Sequence, residues 1–194
     1  MSIGNECVIA IDVDGTIIPL NIDFEVLRSR IRELIGVNHP LRPLGESLAK
    51  LPISDELRRR AWELIEGEEL KSIELLDLSE VKVNADLLRE LRTMGVKAVL
   101  VTMRNRKTLI PLLLKLGLME YADTAVTRDS HPSRRRQLEF IKTLNSGARL
   151  VFLGDTAQDE EVAVSLGINF IRVKDYRELP EAILKALKSC ASNE

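Results

Sequence analysis

The sequence predicts an α/β fold: a doubly wound parallel sheet with a small helical insertion after its first strand. Three observations predict it. Short apolar runs of strand character alternate with amphipathic helical patterns over most of the chain. The stretch 19–81, by contrast, holds no convincing strand. Acidic and hydroxyl residues stand where several of the apolar runs end. Strand and helix in alternation, joined by short connections, imply right-handed crossovers and parallel strands with helices on both faces.

Strands are expected at 7–11, 96–102, 124–126, 150–153 and 170–173. The first, second and fourth are almost continuously apolar, as strands buried on both faces should be. Helices are expected between and after them. Residues 85–94 stop at Gly95, 109–116 at Gly117, and 159–166 at Gly167. The helix at 133–144 runs into the Asn145-Ser146-Gly147 turn, and 180–188 closes the series.

Within 19–81, Phe24, Leu27, Ile31, Leu34 and Ile35 share one helix face. Leu57, Ala61, Leu64 and Ile65 form a second, with Trp62 nearby and Gly67 as the expected break. Pro40, Pro43 and Pro52 punctuate the stretch between them. The segment is too long for an ordinary βα loop. The reading is therefore a core built from 1–18 and 82–194, with 19–81 inserted as a helical domain in which Phe24 and Trp62 pack the inner core or, as the alternative, face the substrate.

Composition narrows the function classes. The chain has 194 residues, 45% hydrophobic, with a formal net charge of −2. That balance gives no support for nucleic-acid or membrane attraction. No apolar run approaches the ~20 residues of a membrane span, and Asp12 and Asp14 interrupt the only stretch resembling a leader. A cytoplasmic protein, monomer or homodimer, is expected. Cys7 and Cys190 read as two unrelated thiols of a reducing compartment. His39 and His131 lack a second histidine at ligand spacing, which argues against zinc. Charged residues at 30% with 4% aromatics lean towards a heat-tolerant source.

The chemistry gathers at the strand ends. In an open α/β sheet, ligands sit beyond the C-terminal ends of the strands, at the topological switch point. The first strand ends in Asp12-Val13-Asp14-Gly15-Thr16, the second at Thr102, and the fourth runs into "GDTAQD", which supplies Asp155 and Asp159. Several carboxylates brought together repel one another unless a hard cation compensates them, and Mg²⁺ prefers such oxygen ligands. A carboxylate beside a cation can approach a phosphoryl group and attack it. A second carboxylate two residues along can protonate the leaving alcohol and then activate water. Gly15 permits close backbone approach, and Thr102 can donate to a phosphoryl oxygen.

"DVDGTI", the helical insertion, "VLVTMR" and "GDTAQDEEVAVSLG" together resemble the haloacid dehalogenase (HAD) superfamily, in particular its phosphoglycolate-phosphatase-like members with a helical cap after the first strand. The resemblance spans essentially the whole chain. It implies a Rossmann-like core, a Mg²⁺-dependent aspartyl-phosphate mechanism (Mn²⁺ being the alternative ion) and a cap that shields the site. By this similarity Asp12 is the nucleophile and Asp14 the general acid and base. Thr102 binds phosphate, with Gly15, Thr16 and Met103 beside it, while Arg104 either joins them at the site or pairs with acids on the solvent side. The metal takes Asp12, the backbone carbonyl of Asp14 and Asp155, the last supported by Asp159. The name-giving dehalogenases normally lack the second aspartate, so Asp14 favours phosphate chemistry.

One departure stands out. The family normally places a lysine before the helix that precedes the last motif, and here that region reads "TRDSHPSRRRQLEFIK". Arg134 is the first candidate to replace it, and Arg135 the next. Arginine keeps the charge but differs in shape and reach. Met103 also stands where the family often has small or amide residues. The expected activity is hydrolysis of a small phosphorylated metabolite. The alternatives are a phosphomutase on the same machinery, or a phosphate-binding protein with little turnover.

Overall fold

The structure, a computed structural model, describes residues 7–191. The first six and last three residues of the expected core lie outside the described residues. Residues 7–11 offer no charged side chain, and with Asp12 they form β1 (Cys7–Asp12), buried along its whole length. It lies between β2 (Lys97–Val101) and β3 (Arg149–Gly154), and β4 (Asn169–Arg172) follows β3. The order is β2-β1-β3-β4 and every pairing is parallel, with Ile9 opposite both Ala98 and Val151. The expected strand at 124–126 contracts to one bridge, Val126 with Val101, because the 3₁₀ helix (Met119–Tyr121) with the turn after it and the turn at 128–130 leave little extended chain between them.

Period-two alternation sends β1 side chains to opposite faces. Ile9 and Ile11 join one apolar cluster and Val8 and Ala10 another. The first face is covered by α4 (Leu78–Thr93), α5 (Arg106–Leu116) and α8 (Leu179–Ala191), which contribute Leu88, Leu112 and Ile183. The second face is covered by α6 (Arg134–Leu144) and α7 (Ala157–Ser165), with Leu138, Ile141 and Ala163. The chain leaves β1 for β2 on one side and returns to β3 on the other. Hence the switch point opens beyond the ends of β1 and β3, immediately before Val13 and Asp155.

Between β1 and α4 lie α1 (Phe24–Ile35), α2 (Leu44–Lys50) and α3 (Asp55–Glu74). Asp23 caps α1 by accepting the Glu25 and Val26 N–H groups, and Gly36 ends it in the left-handed region. The sequence reading lacked α2, a short helix set between Pro43 and Pro52. The break expected at Gly67 is absent, and α3 runs straight through it. A helical glycine costs about 1 kcal/mol, which the burial of Ala61, Ile65 and Ile73 outweighs. Leu27, Ile31, Leu41, Leu48, Ala61 and Ile65 form a cluster separate from the two sheet clusters. α4 starts from its cap at Asp77, earlier than expected, so the junction drawn at residues 81 and 82 falls inside this helix.

A second correction concerns the cysteines. Cys7 at the start of β1 and Cys190 in α8 form a disulfide, with Cα atoms 5.7 Å apart, and are not free thiols. No described helix is long and apolar enough to cross a membrane.

Candidate active site

Asp12 is the last residue of β1 and is 5% exposed. Arg134, the first residue of α6, donates from Nη2 to Asp12 Oδ1 at 2.5 Å and from Nε to Asp159 Oδ1 at 2.7 Å. Its third nitrogen, Nη1, donates to Gln137 Oε1 at 3.1 Å, and Gln137 donates from Nε2 to the Thr102 carbonyl at 2.8 Å. Ser133 starts α6 by accepting the Arg136 N–H, which fixes where Arg134 emerges. Burial opposes the charge on Arg134, but Asp12 and Asp159 beside it hold the guanidinium firmly protonated. The arginine thus bridges two carboxylates that arrive from different strand ends.

Asp155 follows β3, and Asp159 lies in the first turn of α7. Carboxylate oxygens of Asp12, Asp155 and Asp159 lie within 4.8 Å of one another. Burial, opposed by Arg134, drives the Asp12 carboxyl well above its usual range, and Asp159, Asp155 and Asp14 push it the same way. Burial and then Asp159 push Asp155 up to about 6. One charge from Arg134 leaves three clustered carboxylates under-compensated. Moreover, Asp155 Oδ1 is buried without a hydrogen-bond partner. An orphaned acceptor in such a cluster suits a hard cation with oxygen ligands. Asp159 is less open to a cation, because Arg134 takes Oδ1 while the Thr156 hydroxyl donates to Oδ2 at 2.5 Å.

Gly15 turns the chain away from β1 at φ +82°, and a Cβ there would stand 2.3 Å from Asp155 Oδ2. Its N–H donates to the Ile18 carbonyl, and among the described residues no hydrogen bond ends on the Asp14 carbonyl. Thr16 is fully buried, with its hydroxyl unpartnered. Thr102 is buried just past β2 and accepts the Arg104 N–H at 3.0 Å through Oγ1. Met103 faces the cavity described next. Arg135 is exposed at the edge of the same cavity, where it donates to Ser165 Oγ at 2.8 Å and pairs with Glu139. Of the two arginine candidates, only Arg134 reaches the carboxylates.

A cavity of about 1500 Å³ opens between these strand ends and the inserted helices. Asp12, Asp14 and Arg134 line it from the sheet side, and Phe24, Arg28 and Trp62 from the helices. Sequence reasoning missed a second buried charge cluster in its wall, formed by Glu69 and Arg128. Glu69, on the apolar stripe of α3, accepts from Arg128 Nη1 at 2.6 Å and from Thr108 Oγ1 at 2.6 Å. Arg128 also lies over the Trp62 ring, 4.6 Å from its centroid. The available signal was the 61, 65, 69, 73 spacing, which places an acid in line with apolar residues. Gln137 carries the same kind of signal, three residues after Arg134 on one helix face.

The family model for haloacid dehalogenase-like hydrolases matches residues 8–167, from β1 through the whole carboxylate cluster. The chain belongs to the haloacid dehalogenase-like hydrolases. A hydrolase from Pseudomonas syringae superposes with a TM-score of 0.68 at 18% identity, covering 96% of this chain and 100% of that one. A HAD-like family hydrolase from Streptococcus pneumoniae gives 0.58 at 18% identity, over 98% and 99%. A proposed beta-phosphoglucomutase from Thermotoga maritima gives 0.51 at 21% identity, over 95% and 99%. At these identities the structures share the HAD fold with this chain. No curated protein sequence matches it.

Proposed function

We propose that this HAD-like hydrolase is a phosphatase that cleaves a small phosphate monoester through an aspartyl phosphate. The observation that carries the reading is Asp12, set at the switch point with Arg134 on one oxygen and Asp155 and Asp159 around it. A buried nucleophile beside a fixed cation can approach an anionic phosphoryl group, which a lone carboxylate could not. Asp12 attacks phosphorus as the ester oxygen leaves with a proton from Asp14. Asp14 then takes a proton from the water that hydrolyses the aspartyl phosphate, so alcohol and inorganic phosphate depart and both aspartates are restored. Arg134 takes the place of the family's lysine. Thr102, the backbone at Met103, and the Gly15-Thr16 turn surround the phosphate, with Arg135 at the rim.

Mg²⁺, or Mn²⁺ in its place, would offset the charge of carboxylates and phosphate together. Asp12, the Asp14 carbonyl and Asp155 would hold it, with Asp159 steadying Arg134 behind them. The inserted helices act as the cap, excluding water and limiting substrate size.

A panel of phosphorylated metabolites, assayed for inorganic phosphate with Mg²⁺ present, tests the reading. Wild type should turn over at least one member, and a chelator should abolish that activity. Asp12→Asn should lose about a thousandfold or more, the scale of a missing nucleophile. Activity that survives complete metal removal, or full activity in Asp12→Asn, rejects the mechanism. An isomerised phosphate in place of free phosphate would make the chain a mutase.

A further inference from the structure

The sequence leaves Arg104 between the phosphate and acids on the solvent side, but its surroundings give it another task. The side chain is 1% exposed. Nε donates to Asp14 Oδ2 at 2.9 Å and Oδ1 at 3.2 Å, and Nη2 donates to Oδ1 at 2.7 Å. Nη2 also donates to Ser72 Oγ at 2.9 Å, and Nη1 to the Glu69 carbonyl at 3.1 Å. Every guanidinium nitrogen therefore has an acceptor within the protein. A fork of parallel bonds onto one carboxylate fixes its plane as well as its position.

The two other acceptors both belong to α3. The Ser72 hydroxyl donates to the same Glu69 carbonyl at 2.7 Å, so the far side of the fork is itself tied together. Below it the Glu69 side chain is held by Arg128 and Thr108. One rigid arginine thus spans from the inserted helices to the residue two places beyond the nucleophile. We infer that Arg104 is a positioning residue that aims Asp14 for proton transfer, and that it does so from α3, so the seating of the inserted helices sets the aim. The inference rests on the phosphatase reading with Asp14 as acid and base.

Leaving-group dependence tests it, because only an ester with a poor leaving group needs the proton. Phenyl phosphate and 4-nitrophenyl phosphate differ little in size, and the nitro group lets its phenolate depart unaided. With Mg²⁺ present, kcat/KM reports the first bond cleavage for both. Arg104→Lys keeps the charge but not the fork. It should lose on the order of 100-fold on phenyl phosphate, the scale of acid–base assistance, and less than about tenfold on the nitro ester. Ser72→Ala, which removes one tie to α3, should shift the ratio of the two esters several-fold in the same direction.

An unchanged ratio in Arg104→Lys, whether through equal losses or no loss, overturns the positioning role. An unchanged ratio in Ser72→Ala overturns the link to α3. A wild-type chain inactive on both esters and on the metabolite panel would instead sink the phosphatase reading, and this inference with it.

Discussion

Gly15 shows how closely the site is drawn. At φ +82° an L side chain is strained, at roughly 1–2 kcal/mol, and its Cβ would sit 2.3 Å from Asp155 Oδ2. Asp155 would have to give way. Gly15→Ala should therefore fold, with a small loss of melting temperature, yet lose about 100-fold in phosphatase activity, as displacements near 1 Å do in other sites. A thermal melt beside a phosphate-release assay separates the two effects. At this scale much was legible. Asp12, Asp14, Asp155 and Asp159 stand at strand ends, where alternation and turn residues can be read directly. Arg134 was also within reach, since Ser133 announces the start of α6. The task of Arg104 was not legible, because its acceptors, Asp14, Glu69 and Ser72, lie 32 to 90 residues away and meet only through the packing of α3.

Among the elements, α7 couples fold to site most tightly. Its first turn is a capping box: Thr156 Oγ1 accepts the Asp159 N–H at 3.1 Å, and Asp159 Oδ2 accepts the Thr156 hydroxyl and N–H. The same aspartate holds Arg134 through its other oxygen. Thr156→Ala should cost about 1 kcal/mol, the usual scale for a lost N-cap, as a lower urea midpoint with an unchanged slope. Elements with strong punctuation were readable, α5 and α1 among them. Those that depend on their neighbours were not. α3 survives Gly67 because its buried face pays for the glycine, and the 124–126 segment stays a single bridge because turns crowd it on both sides.

For the whole molecule, the alternation of strands and helices was enough to foresee a parallel sheet covered on both faces. The disulfide could not be foreseen, since two cysteines 183 residues apart leave no spacing to read. It joins the start of β1, the strand that bears Asp12, to α8, which closes one face of the sheet. A cross-link over so long a loop restricts the unfolded chain strongly. Cys190→Ser, or reductant during unfolding, should lower stability by about 2–5 kcal/mol. Denaturation midpoints of the oxidised and reduced protein measure it.

That bond also changes what a cut means. From Cys7 to Cys190 the backbone is closed into a ring by sulfur. A protease that severs one peptide bond in the inserted helices, or in any surface turn between those residues, releases no fragment. Both pieces stay tethered at the foot of the strand whose other end carries Asp12, and the carboxylates of β1 and β3 remain parts of one covalent molecule.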